Sequence, residues 1–575
     1  MKNLEIAKIL YEIAEMLEIK GVEFKPRAYQ RAAQSIESIS EDIVDLYKKG
    51  GVKELEKIPG VGEHIALKIK ELIETGKLKY YEDLKKQMPM NVDELRHVHG
   101  MGPKRIKLLY QKLKIKNLRE LEKAAKEHKI QKIKGLGAKV EEDILKGIEF
   151  AKQGHKRFLL GYIIPIADDI KKKLLRIKGV KKVEIAGSYR RMKESIGDID
   201  ILVSALNPKQ VMEHFVKMDD VSDVLAHGAT KSIVRLNNGL QVDVRVLKEN
   251  EFGSALQYFT GNKEHNIELR KIALSKGYTL SEYGLFTIKG KKWIAGRTEE
   301  EIYKKLGIDI MAPEMRENIG EIEAAKKHAL PNLIDYGEAK GDFQMHTIWS
   351  DGSNSIEEMV KSAVSLGRKF ITITDHVGQL AIAHALDKRR IEKQAKEIEK
   401  IRRKYDNSIR IFHGAEVDIL KNGRLAMERN LQDKLDVILA SIHSAFKMSE
   451  KDMTSRILNA LDKDRVHIFA HPTGRLINKR EGYAVNLAKL FEAAKRTNTF
   501  LEINCYPERM DLDGVHVKAA KDVGCLFSIG TDSHNKTHMN FLKLGEAIAR
   551  RGWLESRHVL NTFPVNRIEK ILEGK

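Results

Sequence analysis

Three aspartates are spaced for metal chemistry. Asp198 and Asp200 stand two apart in the run GSYRRMKESIGDID (187–200), and Asp243 lies in QVDVRV. Residues two apart on a strand point to one face, so Asp198 and Asp200 can share a pair of divalent cations, with Asp243 completing the cluster from a neighbouring strand. Such a pair lowers the pKa of a primer 3′-hydroxyl, aligns it with an α-phosphate and neutralises the departing pyrophosphate. The turn before the strand supplies the complement: backbone N–H groups near Gly187, the Ser188 hydroxyl and the Arg191 guanidinium suit a triphosphate held by short, charge-assisted hydrogen bonds. An Asp-x-Asp by itself is more often a solvated strand face; turn, strand and third Asp together carry the signal.

A second concentration lies in the last third of the chain. Asp342, His346, Asp351, Asp375, His376, Glu416, His443, His471, Asp532 and His534 fall at or near the ends of apolar runs such as FITITDH, IFHGAEVD, VILASIH and LFSIGTDSH. In a parallel α/β barrel the C-terminal strand ends converge on one rim, which gathers residues distant in sequence into one cluster. One such histidine would be structural, but six strands ending this way imply metal. Mixed nitrogen and oxygen donors suit zinc or manganese, in a site that activates water against phosphate esters.

These residues must be positioned by several domains, because 575 residues exceed one core. One short pattern occurs three times, as KIPGVG (57–62), HVHGMG (97–102) and KIKGLG (132–137), each before a helix-like run. A Gly-x-Gly turn lets backbone approach a ligand and aims the N–H groups of the next helix at phosphate. The pattern resembles the helix-hairpin-helix element, which grips DNA by its backbone, through Gly60, Gly62, Gly100, Gly102 and the adjacent Lys104. The formal net charge of +21 favours the same partner. No apolar run approaches the ~18 residues of a spanning helix, and two cysteines, Cys505 and Cys525, give no disulfide framework. The expectation is a cytoplasmic protein with no membrane partner. From about Arg157 strands and helices mix, and from Gly341 they alternate regularly.

The Gly-Ser turn, the Gly-Asp-x-Asp strand and the third Asp resemble the nucleotidyltransferase superfamily. GSYRR, GDID, VDVR and Tyr258-Phe-Thr-Gly-Asn262 more closely resemble, in order and spacing, the palm and nucleotide-selection motifs of the X family of DNA polymerases, the DNA polymerase beta-like enzymes. The resemblance implies that Asp198, Asp200 and Asp243 hold Mg2+ (or Mn2+), and that Gly187, Ser188, Arg191 and Gly197 contact the triphosphate. It also implies that Tyr258 and Phe259, in the motif with Gly261, exclude a ribose 2′-hydroxyl, that Asn266 faces the base and that Arg270 faces the template. Asn262 and Lys263 depart from the usual Ser and acidic residue.

Ala28-Tyr-Gln-Arg-Ala-Ala33 and IPGVGEHIALKIKELIETGKL resemble the family's small N-terminal domain. Lys68 falls in the register of a lysine that forms a Schiff base with an abasic sugar, while Arg27, Tyr29, Arg31, His64 and Lys77 suit a 5′-phosphate. Lyase chemistry and simple phosphate binding both remain open. DFQMHTIWSDGS, TDH, GAE, SIHS, AHP and GTDSH resemble the PHP (polymerase and histidinol phosphatase) domain of bacterial and archaeal members. That implies a distorted (β/α)7 barrel and a site for up to three Zn2+ or Mn2+ ions, held by His346, Asp351, His376, Glu416, His443, His471, Asp532 and His534. It also implies 3′-5′ exonuclease and abasic-site cleavage. Gln344 replaces the first histidine of the usual His-x-His, which substitutes an amide oxygen for a ligand.

The sequence therefore predicts a multidomain α/β protein. Its parts are a lyase-like helical domain over 1–80, a helix-hairpin-helix domain over 81–150, a nucleotidyltransferase palm with a mixed sheet over 151–250, a nucleotide-selection subdomain over 251–315, a linker over 316–340 and a PHP barrel over 341–575. The expected activity is DNA-directed filling of short gaps in base-excision-type repair by a monomer, on gapped or nicked duplex with a 5′-phosphate and dNTPs. The alternative is a PHP phosphoesterase delivered to DNA by a front half that does not polymerise; a scaffold without catalysis is a third reading.

Overall fold

The computed structural model describes residues 3–38, 43–96, 98, 101–137, 140–141, 144–145, 148, 157–378 and 384–575. The first part is helical. In Asn3–Lys20, Ile6, Leu10, Ile13 and Leu17 recur at helical spacing and are buried against Ala32, Ala33 and Ile36 of Lys25–Ser38. A separate core around Leu95, Ile106, Leu109 and Leu121 follows it.

The three Gly-x-Gly turns share one hydrogen-bond pattern. Val61, Met101 and Leu136 donate to the carbonyls of Ile58, Val98 and Ile133 at 2.9, 3.0 and 2.9 Å, and the next helix then starts on the carbonyl of Gly62, Gly102 or Gly137. Gly60 adopts φ +84°, and a Cβ there would lie 3.2 Å from that of Arg31. Gly62 and Gly102 open onto free space at the helix N-termini. Gly100 lies outside the described residues.

The palm is a five-stranded sheet in the order Val180–Ile185, Asp198–Ala205, Gln241–Leu247, Lys231–Leu236, Val221–His227. Only the Asp198 and Gln241 strands pair in parallel, which sets Asp200 opposite Asp243. Burial alternates along Lys231–Leu236 and Gln241–Leu247, as a half-solvated sheet requires. Beyond it, Phe252–Thr260 and Lys263–Ser275 lead to a three-stranded antiparallel sheet and the helix Glu299–Leu306. A buried ionic knot ties these parts together: Glu299 accepts from Arg190 at 2.6 Å and from Arg316 at 2.5 Å.

From Gly341 the strands are all parallel, seven in sequence order, with the short His376–Val377 strand as an eighth member beside Arg410–Asp418. Strands such as Phe370–Ile373 and Val437–Ser441 are buried at every residue, because helices cover the outer face. His346 N donates to the Ser533 carbonyl at 2.8 Å, which brings the first strand to the last. One hydrophobic core runs from the palm into this barrel. At the seam Gly161 leaves no room for a side chain: a Cβ would meet Pro507 at 2.6 Å and Leu544 at 2.8 Å.

Two candidate metal-dependent sites

In the palm, Asp198, Asp200 and Asp243 lie on adjacent parallel strands, and Asp200 lines a cleft of ≈ 780 Å³ together with Gly187, Ser188, Arg191, Tyr258, Asn266 and Arg270 among others. Gly187 has φ +64°, and a Cβ there would sit 2.8 Å from Asp200 Oδ2, so only glycine turns the chain this close to the carboxylate. The carboxylates repel one another. Burial, then the charges of Asp198 and Asp243, push Asp200 up to about 7, and burial and Asp243 raise Asp198. Asp243 leans away, accepting from Gln241 Nε2 at 2.9 Å and pairing with Lys231 at 3.5 Å. Among the described residues, three or more ligand atoms come within 4.8 Å of one another only in the barrel, so the palm trio does not close on a point. A set of hard oxygen donors carrying unrelieved negative charge fits magnesium or manganese.

The turn is held from behind. Arg191 donates through Nε to Glu317 at 2.9 Å and through Nη1 to the Thr260 carbonyl. Glu317 also pairs with Lys193 at 3.5 Å and with Arg551, a barrel residue whose Nη1 also donates to the Arg191 carbonyl at 2.8 Å. The other nucleotide-selection positions are braced too. Asn266 donates to the Tyr258 carbonyl at 2.7 Å, Tyr258 and Phe259 pack edge to face, and Arg270 has its Nε buried without a hydrogen-bond partner. Asn262 caps the helix Lys263–Ser275 by accepting from His265 N at 2.8 Å, a role that Ser performs equally, so this departure is conservative. Gly197 sits near Arg157, whose charge moderates Asp198.

In the N-terminal domain, Lys68 lies over the Tyr80 ring at 4.7 Å and donates to the His64 carbonyl at 3.2 Å. Burial and the Lys25 charge lower its pKa, which the nucleophilic reading requires. Tyr29 stacks parallel to Tyr80, and Arg31 packs against Gly60. His64 and Lys104 are exposed on the first turns of their helices.

The barrel cluster is denser. Its donor atoms form three overlapping groups: His346, Asp351, His376 and His534; His376, Glu416 and His443; His346, Glu416 and Asp532. Both ring nitrogens of His346 are buried without a hydrogen bond, although Nε2 lies 3.2 Å from Asp532 and 3.3 Å from Glu416. Imidazole nitrogens aimed at carboxylates without bonding them fit metal ligation, and the donor set fits zinc or manganese. Against the cost of burial, His376 and His443 hold Glu416 well below the carboxylate range. Burial opposes but Glu416 and Asp418 prevail at His443, which is raised to about 9.

His471 stands outside the three groups and reaches Glu416 Oε1 at 2.9 Å. Asp375 accepts from Thr347 and Gln394, and Asp342 from Thr531 and the Gln344 N–H, so both shape the rim. Gln344 differs from its expected part. Its Nε2 donates to Glu416 Oε2 at 2.9 Å and its oxygen accepts from Asn504 at 3.2 Å, so the amide steadies a candidate ligand. Sequence reasoning missed Lys231, Glu317, Arg551 and Glu502, whose roles arise from strand pairing and domain contact. Only the carboxylate within the apolar run FLEIN gave any signal, for Glu502 is buried and its pKa pushed well above the usual range, by burial and then by Asp532.

Comparison with known proteins agrees with this geometry. Residues 163–252 match the DNA polymerase beta palm, 255–317 the DNA polymerase beta thumb, and 342–505 the PHP domain. Residues 1–78 match a helix-hairpin-helix domain, and 52–116 and 92–149 a tandem of that element. Over the whole length of both proteins, the chain is 35% identical to the "DNA polymerase/3'-5' exonuclease PolX" of Bacillus subtilis (strain 168). The chain belongs to the PHP-bearing X family of DNA polymerases. More distantly, 55% of it aligns with DNA polymerase lambda of Rattus norvegicus at 24% identity, covering 56% of that protein, and with that of Arabidopsis thaliana at 26%, covering 62%. Membership of this family, with palm and thumb both present, tells against a front half that merely delivers a phosphoesterase. Among the described residues no helix is long and apolar enough to cross a membrane.

Proposed function

We propose that this family X polymerase fills short gaps in DNA during base-excision-type repair, in the cytoplasm and as a monomer, and that its PHP barrel is a 3′-5′ exonuclease with abasic-site cleavage. The observation that carries the reading is the Asp200–Asp243 register beneath a cleft whose wall is the Gly187–Arg191 turn. In the proposed complex Asp198, Asp200 and Asp243 hold Mg2+ or Mn2+, which supplies activation of the 3′-hydroxyl and neutralisation of the pyrophosphate. Ser188, the Gly187 and Gly197 amides and Arg191 orient the triphosphate, and Tyr258 and Phe259 narrow the sugar site. Gly261 turns the chain at φ +68° beside Arg191. Asn266 faces the dNTP base, and Arg270 meets the template.

The three hairpins hold the duplex by its phosphates, and Tyr29, Arg31 and His64 hold the 5′-phosphate of a gapped or nicked strand beside Lys68. The place of Lys68 over the Tyr80 ring, with burial and Lys25 lowering its pKa, is compatible with the lyase reading as well as with phosphate binding. In the barrel His346, Asp351, His376, Glu416, His443, His471, Asp532 and His534 hold up to three Zn2+ or Mn2+ ions, which supply an activated water. The test is extension across a one-nucleotide gap with a 5′-phosphate against the same gap with a 5′-hydroxyl. Faster extension at the phosphate is expected, and equal rates would discard the gap-binding role of the N-terminal domain. Because palm and barrel share one core, a truncation would bare apolar surface, so point variants are the cleaner instrument.

A further inference from the structure

Beside the barrel's metal cluster stands a group of aromatic rings that the reaction so far does not use. Tyr506, in the loop after Phe500–Asn504, lies 6.5 Å from the His534 ring, 5.4 Å from His538 and 6.1 Å from Phe541, centroid to centroid. His538 and Phe541 stack at 5.3 Å with 27° between their planes. The outermost ring comes from the palm: Tyr162, on Leu160–Leu175, meets Phe541 edge-on at 6.4 Å. Arg509 lies on the same loop, its Nε 3.3 Å from Asp532.

If these rings served only to glue palm to barrel, Tyr162 would be buried in the seam. It is 46% exposed, while the seam is sealed one residue earlier, where Gly161 admits Pro507 and Leu544. An exposed tyrosine over half-buried rings, beside phosphate-directed metal ligands and an arginine, matches a single-stranded nucleic acid, whose bases present π-faces and whose backbone presents charge. We propose that Tyr162, Tyr506 and Phe541 form a stacking platform for the terminal base of a single-stranded 3′ end, so that a tyrosine of the palm completes the exonuclease site of the barrel. The proposal rests on the exonuclease reading above and adds what that site recognises. It also gives the docked palm a part in hydrolysis: the polymerase half supplies one wall of the subsite.

The full-length protein is tested with oligonucleotides ending either in an ordinary 3′ nucleotide or in a tetrahydrofuran abasic one. The wild type should show a KM about ten-fold lower for the end that carries a base, in keeping with the energy of one base stacked on one ring. Tyr162→Ala and Tyr506→Ala should erase that ratio while kcat on the abasic end holds, Tyr162→Phe should keep it, and nucleotide addition by Tyr162→Ala should be unchanged. A ratio that persists in both alanine variants overturns the proposal. A second readout does not depend on hydrolysis: 2-aminopurine at the 3′ terminus should be quenched on binding the wild type and not on binding either alanine variant, and absence of quenching by the wild type also overturns it. Quenching without release of nucleotides by the wild type would leave the platform standing and sink the exonuclease reading instead.

Discussion

In the palm, three carboxylates lie on adjacent strands with Lys231 beside Asp243 and the charges of Arg157 and Arg245 near Asp198 and Asp200, yet Asp200 is pushed up to about 7. In the barrel, Asp351, Asp532 and Glu416 each have an imidazole at 3.5, 3.2 and 2.9 Å, and Glu416 stays ionised although fully enclosed. The first arrangement carries an excess of negative charge that a proton on Asp200 or arriving cations relieve, which suits ions delivered with a triphosphate. The second is partly neutralised already, by protons on His346 and His443 though not on His376 or His471, and metal displaces those protons, so it suits ions that stay.

The sharpest way to break this comparison is to disable each region alone. Asp243→Ala should lower primer extension by ~10³ or more, since a metal clamp contributes several kcal/mol, and leave nucleotide release from 3′ ends intact. Glu416→Ala, which removes a donor from two of the three barrel groups, should do the converse. Loss of both activities in either variant would mean the two regions are not separate sites.

A charge paired by arginine gives a third case. Against burial, Arg316 and Arg190 depress Glu299 from 4.5 to about 2. A carboxyl with a lowered folded pKa contributes stability that is present above pH 4.5 and lost as pH falls through 2. Glu299→Gln should therefore cost about 3–5 kcal/mol at pH 7, as breaking a buried pair does. In chemical denaturation that deficit should shrink between pH 4.5 and 2; a deficit independent of pH would show that packing, not pairing, was lost.

Gln344→Ala withdraws the amide that steadies Glu416, and should lower metal affinity of the barrel roughly 10–100-fold, measured by competition with a chelator. Where the two regions touch, Arg551→Ala frees Glu317 and the Arg191 carbonyl. It should raise the dNTP KM on the order of five-fold with kcat held, Arg551→Lys restoring part of the loss.

How legible each region was follows from the distance its residues span. The Gly-Ser turn and Asp-x-Asp strand are a local motif of fourteen residues, 187–200, and the hairpins repeat within the first 137, so both could be read from spacing alone. The candidate barrel ligands were legible because they fall at or near the ends of apolar runs. Gln344 was read as a substitute ligand, and its contact with Glu416, braced by Asn504 from 160 residues away, left no mark in the sequence. The shared core of palm and barrel, with Gly161 at its seam, left no periodic mark that separates it from any buried helix.

The order of motifs, the candidate metal-binding side chains and the polymerase family were legible in the chain alone, since they rest on residue types and short spacings that strand and turn geometry convert directly into direction. Tertiary structure decided which charges compensate which: Lys231 beside Asp243, Arg551 beside Glu317, and Tyr162 at the mouth of the other domain's site. Electrostatics and ring contacts act over a few ångströms of space whatever the separation along the chain, so those pairings came into being only when the domains closed on one another.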